Sequence, residues 1–361
     1  MRKNKNNQSK LPLTISAQYG LVDQITFFNK VIASTDMSSY YLLKKGEFAY
    51  NKSYSSDYPW GAIKRLDNYD QGALSSLYIC FAPQDNVVSD FILQYFESPK
   101  WHKGISEIAV EGARNHGLLN VAVQDFFHTY HYVPKDKKEQ IKISKLLMLL
   151  DERIATQNKI IEDMKKLKCA IIEMSYSKIQ GKEYSYGQLF DVVNERNKQM
   201  EYSNILSASQ EKGMVNRDEL NLDIQFERSN ISTYKIVRAG DYVIHLRSFQ
   251  GGFAFSDKLG ICSPAYTILR PNSLLEHGYL SYHFTSQRFI KSLIIITYGI
   301  RDGRSINVEE WLNMKVVIPS KEHQLHTLNI LKSIDDKIVN EETYATCLSN
   351  QKQYLLRQMF I

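Results

Sequence analysis

Two long stretches of the chain carry a narrow apolar stripe on a polar background. In the first, steps of three and four residues connect Leu147, Leu150, Ile154, Gln157, Ile161, Met164, Lys168 and Ile171. In the second they connect Leu331, Ile334, Ile338, Glu341, Ala345, Leu348, Lys352 and Leu355. The polar interruptions, Gln157/Glu341 and Lys168/Lys352, fall at matching places. This spacing predicts two helices of about 40 residues, each ~60 Å long. A lone helix cannot bury so narrow a seam, whereas two in one chain can pair as an antiparallel coiled coil. Its predicted seam is Leu147, Leu150, Ile154, Ile161, Met164, Ile171, Leu331, Ile334, Ile338, Leu348 and Leu355. The alternative, each helix packed on its own globule, usually goes with shorter helices and a wider stripe.

The duplication extends beyond the helices. "LTISAQYGLV" from Leu13 aligns with "LSASQEKGMV" from Leu206, and "YLLKKGEFAYNKS" from Tyr41 with "KIVRAGDYVIHLR" from Lys235. "GALSSLY" from Gly72 aligns with "GICSPAY" from Gly260, and "GARNHGLLNV" from Gly112 with "GIRDGRSINV" from Gly299. Four matches in the same order make the chain a tandem repeat. The plan is globule 1–133, helix 134–182, globule 183–318 and helix 319–361, with both globules mixed α and β. Strands are predicted at "EFAYNK", "DYVIHL" and "KVVIP", after turn signals at Gly46 and Gly240. Helices are predicted at "VVSDFILQYFES" and "LSYHFTSQRFIKSLI". Pro134 and Pro319 close the globules and precede the long helices.

Composition adds limits. The 361 residues are 43% hydrophobic and 12% aromatic, enough for real cores. The net charge of +6 suits an anionic partner without requiring one. Cys80, Cys169, Cys262 and Cys347 form no C-x-x-C pair, which argues against zinc and for a reducing compartment. No apolar run reaches bilayer-spanning length and no apolar segment follows the basic N-terminus, so the expectation is a cytoplasmic chain without a membrane role. A phosphate-binding loop, a dinucleotide loop, an amino-methyltransferase signature and a nucleophile elbow are all missing. Asp90 and Glu97 lack the lysine-bearing spacing of a metal-dependent nuclease. No catalytic residue, metal site or cofactor of its own is expected.

The globules instead offer basic, amide and aromatic side chains at equivalent places. The candidates for DNA contact are Lys3, Asn4, Lys5, Lys52, Tyr54, Lys64, Arg65 and Arg114 in the first globule. In the second they are Arg196, Asn197, Lys198, His245, Arg247, Gln250, Arg301 and Arg304. Arg and Lys bond guanine edges and phosphates, and Asn and Gln bond adenine. Taken singly, each Lys or Arg is more at home as a solvated surface charge than as a base reader, and it is the symmetric placement that favours the set. Loops that differ between two copies of one scaffold point to two different targets.

The pattern P-x(4,5)-Q-x(6)-L-x-x-[IL]-D-x-x-I occurs from Pro134 to Ile154 and from Pro319 to Ile338. The helix ends "LKCAIIEMSYS" and "QKQYLLRQMFI" are alike, as are the globule texts "YNKSYSSDYPWGAIKRL" and "HLRSFQGGFAFSDKLGICSPAY". In these features, which span nearly the whole chain, it resembles the specificity (S) subunits of type I restriction–modification systems. The resemblance implies an α+β fold with two target recognition domains separated by two long helices in an antiparallel coiled coil. Each domain would read half of a bipartite double-stranded DNA target. The coil would space the domains and dock two methyltransferase (M) subunits, and restriction (R) subunits would join them. S-adenosylmethionine, ATP and Mg would be used by those partners. One departure stands out. The second globule opens with "EYSYGQLFDVVNERNKQ" from Glu183, and the first has no counterpart of "YGQLFDVVN". A stand-alone methyltransferase or nuclease would need a cofactor domain for which no room remains, and a scaffold without a DNA role would not need the basic–aromatic text.

Overall fold

The computed structural model describes residues 2–30, 32–109, 117–177, 179–209, 212–220, 228–245, 252–298 and 305–360. The chain divides into two compact units, Met1–Asn158 with Thr343–Ile361 and Lys159–Glu342.

Unit 1 runs β1 (Pro12–Ser16), β2 (Gly20–Asp23), α1 (Gln24–Phe28), β3 (Tyr41–Lys44), β4 (Phe48–Asn51), β5 (Ala62–Arg65), β6 (Gln71–Leu74) and β7 (Ile79–Phe81). Then follow α2 (Ser89–Glu97), α3 (His102–Ile108), α4 (Val123–Phe127) and the first half of α5 (Lys137–Ser177). One sheet has the order β2-β1-β6-β3, the other β5-β4-β7. Leu13, Leu43, Leu66 and Leu74 fill the first core. The second, beneath α2 and α3, is aromatic and built on Phe48, Tyr50, Phe91, Phe96, Trp101 and Phe126.

Unit 2 holds the rest of α5, then β8 (Lys182–Ser185), β9 (Phe190–Val193), β10 (Leu206–Ser209), β11 (Gly213–Asn216), β12 (Lys235–Val237), β13 (Tyr242–Ile244), β14 (Phe253–Phe255), β15 (Gly260–Cys262) and β16 (Thr267–Pro271). It continues with α6 (Tyr279–His283), α7 (Gln287–Ser292), β17 (Thr297–Tyr298), β18 (Ser305–Ile306), α8 (Val308–Asn313), β19 (Lys315–Ile318) and the start of α9 (Lys321–Met359). Its main sheet has the order β14-β13-β16-β9, and β8 pairs with β19. Trp311, Tyr186 and Phe253 anchor its core.

The expected strands are β4, β13 and β19. The turns before β4 and β13 place Gly46 (+85°) and Gly240 (+98°) at positive φ, a backbone conformation that strains a residue with a side chain. The helix expected across "LSYHFTSQRFIKSLI" is broken in two. Ser286 is extended and its hydroxyl accepts the Phe289 amide, so α7 begins with its own cap. Neither proline lies inside its long helix. The Lys138 amide bonds Asp136 Oδ1 at 2.8 Å and the His323 amide bonds Ser320 Oγ at 3.4 Å, and these residues cap the starts. Each proline carbonyl instead accepts a glutamine amide from the first turn, Gln140 at 2.7 Å and Gln324 at 3.1 Å. The same glutamines accept the amides of Val88 and Glu276, so each helix start is fixed to its own globule.

α5 has 41 residues and α9 has 39. Within each unit they run antiparallel. In unit 1, Lys352 pairs with Asp151, and Leu147 shares a core with Leu355 and Leu356. In unit 2, Lys168 pairs with Asp335 and Lys165 with Glu342. The predicted seam residues are buried or half-buried throughout. The helix ends repeat the symmetry. Phe360 packs on Phe91 at 5.3 Å in unit 1, and Tyr176 on Tyr279 at 5.4 Å in unit 2.

Among the described residues, unit 1 has no counterpart of β8 and β9, yet its core is closed from within. In unit 2 the ring of Phe190 meets Tyr242, Trp311 and Phe284 at 5.3–6.3 Å. In unit 1 Phe81 meets the equivalent Phe48, Phe126 and Phe96 at 5.5–5.8 Å. Likewise Tyr186 bonds His283 at 3.0 Å in unit 2, and His131 bonds Tyr95 at 3.0 Å in unit 1.

Candidate nucleic-acid interface

The first shared feature is a basic–Asn–basic turn. "KNK" at Lys3–Lys5 and "RNK" at Arg196–Lys198 occupy equivalent places. The central asparagine is buried in both. Asn4 Nδ2 donates to the Ser9 carbonyl and Oδ1 accepts the Ser9 amide, both at 2.9 Å. Asn197 makes the same pair with Tyr202, at 2.8 and 3.2 Å. Both amides are thus used to close a five-residue loop. The flanking backbones bridge to the main strands, Lys3 to Tyr41 and Arg196 to Lys235. Held this way, the side chains of Lys3, Lys5, Arg196 and Lys198 lie exposed on the surface. Lys3 folds back, its ammonium bonding the Ser39 carbonyl at 2.7 Å and lying 4.0 Å from the Tyr41 ring centroid.

The second feature is a pair of loops beyond the ends of β4 and β13. Tyr54 is exposed, and its amide donates to the Gly117 carbonyl at 2.6 Å. Ser53 bridges to Leu118, so the loop after β4 runs beside the residues leading into α4. Lys52, half-buried, reaches the Val121 carbonyl at 3.5 Å. In unit 2 the matching pieces are His245, whose amide bonds the Gly252 carbonyl at 2.8 Å, and the β17–β18 pair. His245 Nε2 is buried without a partner among the described residues. Burial pushes its pKa below the ordinary histidine range, so the ring is neutral at pH 7. Arg114, Arg247, Gln250, Arg301 and Arg304 lie outside the described residues.

Lys64 and Arg65 are placed differently. They sit on β5 under α2, with side chains only 14% and 11% exposed. Lys64 pairs with Glu97 at 2.7 Å. Arg65 pairs with Asp90 at 2.6 Å and Asp67 at 2.7 Å, and bonds Ser89 at 3.2 Å. The two carboxylates considered for nuclease chemistry are therefore the partners that fasten α2 to the sheet.

The lysines that interrupt the helix seam have a role that the apolar pattern alone did not reveal. Lys352 and Lys168 reach across to Asp151 and Asp335 of the facing helix. Each aspartate also takes a bond from its globule, Asp151 from Gln94 at 2.9 Å and Asp335 from the Tyr282 hydroxyl at 2.8 Å. The signal was present, since both aspartates recur in "LLDERI" and "SIDDKI".

No protein-family model and no curated protein matches the chain. Solved structures do. A chain from a structure of the assembly and conformational transition of a type I R-M system superposes with a TM-score of 0.62 at 13% identity, covering 99% of this chain and 93% of that one. The type I restriction–modification S subunit from M. genitalium gives 0.50 at 14% identity, over 92% and 87% of the two chains. The HsdS subunit from Thermoanaerobacter tengcongensis gives 0.49 at 13%, over 99% and 92%. At such identities the likeness is one of fold, and the fold is that of two mixed α/β units on a pair of long helices. Among the described residues no helix is long and apolar enough to cross a membrane.

Proposed function

We propose that the chain is the non-catalytic DNA-recognition subunit of a type I restriction–modification complex. The observation that carries this is the internal symmetry. Two units with the same loop staples, helix starts and cross-helix ion pairs share a fold with chains of such systems. In this reading each unit reads one half of a split DNA site, and the helix pair spaces the halves and docks M subunits. R subunits complete the complex, and methyl transfer and ATP- and Mg-dependent cleavage belong to the partners.

Within the units, the reading assigns roles by geometry. Lys5, Arg196 and Lys198 are exposed cations on fixed turns and suit phosphate contact. Asn4 and Asn197 hold those turns. Lys64 and Arg65, tied to Glu97, Asp90 and Asp67, hold α2 in place. Tyr54, exposed beyond β4, suits base contact, and Arg114, Arg247, Gln250, Arg301 and Arg304 are proposed for the same role from the sequence alone.

The test uses the complex assembled with its M subunits and DNA scrambled in one half-site. Lys5→Ala and Lys198→Ala are each expected to weaken binding on all sequences and to reduce the salt slope by about one. Tyr54→Ala is expected to relax only one half-site, and Arg247→Ala only the other, by about 1–3 kcal/mol. Relaxation of the same half-site by both changes defeats the two-reader assignment.

A further inference from the structure

One turn of unit 2 presents aliphatic side chains to solvent. After α7 a single 3-10 turn, Leu293–Ile296, carries the chain to β17. Leu293 and Ile296 are buried in the core with Phe289, whereas Ile294 and Ile295 between them are 53% and 81% exposed. Unit 1 has the same frame with a different surface. There Trp101 and Ile105 take the core places of Phe289 and Leu293, and the exposed pair that follows is Ser106 and Glu107. The frame therefore does not require isoleucine at the exposed places. Both side chains are β-branched and hold few rotamers, so ordering them against a ligand costs little entropy.

The surroundings of the pair point to its ligand. Thr297 pairs with Ile306 in the β17–β18 ladder, and the Asn307 amide bonds the Ile296 carbonyl at 3.1 Å, so the turn is fixed at the base of this ladder. Ser305 of β18 corresponds to Leu118, which in unit 1 bridges to Ser53 beside Tyr54. The turn thus leads into the part of unit 2 assigned to DNA contact. Lys291, exposed, stands one turn before the pair. From Gln287 to Asn307 the sequence carries four cations, Arg288, Lys291, Arg301 and Arg304, against one carboxylate, Asp302. An apolar protein surface would leave such a charge excess unmatched. The DNA major groove matches both features, since phosphates flank it and the thymine C5-methyl is the apolar group on its base edges. We propose that Ile294 and Ile295 read thymine by its methyl group in the half-site of unit 2. This role rests on the DNA-recognition reading and names the chemical group that unit 2 selects.

The test uses the complex assembled with its M subunits and DNA in which deoxyuridine replaces thymine one position at a time, which removes the methyl group and nothing else. Uracil at one or two positions of a single half-site is expected to weaken binding about fourfold, the worth of one buried methyl-sized group. Ile295→Ala and Ile294→Ala are expected to bind thymine DNA about as weakly as the parent binds uracil DNA, and to lose the distinction between the two bases there. Uracil tolerated by the parent at every position, or discrimination retained in both variants, overturns the proposal. So does discrimination that maps to the half-site relaxed by Tyr54→Ala. Variants that fail to assemble with M subunits also overturn it, because the pair then faces protein. A parent complex that binds DNA with no sequence preference defeats the DNA-recognition reading itself, which distinguishes the two failures.

Discussion

A lysine in an apolar helix seam looks like an error until its partner is seen. Lys352 and Lys168 each meet an aspartate of the facing helix, at equivalent places in the two units. A shift of the pairing by one turn would leave four charges without partners, so the pairs select register more than they add stability. Lys352→Asp is expected to destabilise unit 1, and adding Asp151→Lys to recover part of that loss. Denaturant titrations of the four chains of the cycle should give a coupling of about 0.5–1 kcal/mol. No coupling would mean that the pair is decorative. His283 makes a second case at this scale. Burial, with Arg288 nearby, lowers its pKa to about 4 from an ordinary 6.5. The folded ring therefore stays neutral while the unfolded ring takes up a proton below pH 6.5. Stability from this source is complete above about pH 6.5, falls as pH drops, and levels off below about 4, a loss of about 3 kcal/mol in all. Unfolding measured from pH 7.5 to 4 should show a shallower decline in His283→Gln than in the parent chain. Parallel declines would contradict the assignment.

The elements show how far a pattern can be read. The long helices, β4, β13 and β19 follow from periodicity, because one buried face imposes its period on the sequence. The break between α6 and α7 did not, since Ser286 acts through its hydroxyl on the Phe289 amide and leaves no mark on the apolar pattern. The self-closure of unit 1 was also hidden. It depends on Phe81 standing where unit 2 has Leu269, a one-ring enlargement that matters because no described residue of unit 1 supplies a ring as Phe190 does in unit 2. Phe81→Ala is expected to cost unit 1 about 3–5 kcal/mol, whereas Leu269→Ala in unit 2 leaves Phe190 in place and is expected to cost less. Thermal unfolding of the two variants compares them directly, and equal losses would contradict the account. Among the candidate contacts, the sequence could list Lys64 and Arg65 beside Lys5 and Lys198 but could not separate them. Only tertiary structure brings Glu97 and Asp90 to the first pair.

At the scale of the molecule, the proposed reading makes the helix pair a ruler. One heptad inserted into both α5 and α9 keeps the seam in phase and adds ~10 Å. The expected result is a DNA spacer about three base pairs longer with both half-sites unchanged. An unchanged spacer would mean that the helices do not set it. The central claim, that one chain reads two separated half-sites for partner enzymes, is tested most directly by mapping methylated bases across the genome with and without the gene. The account predicts one motif in two parts, with a gap of fixed length, methylated only when the gene is present. Methylation unaltered by its removal while the M subunits are expressed, or a motif without a gap, would contradict it.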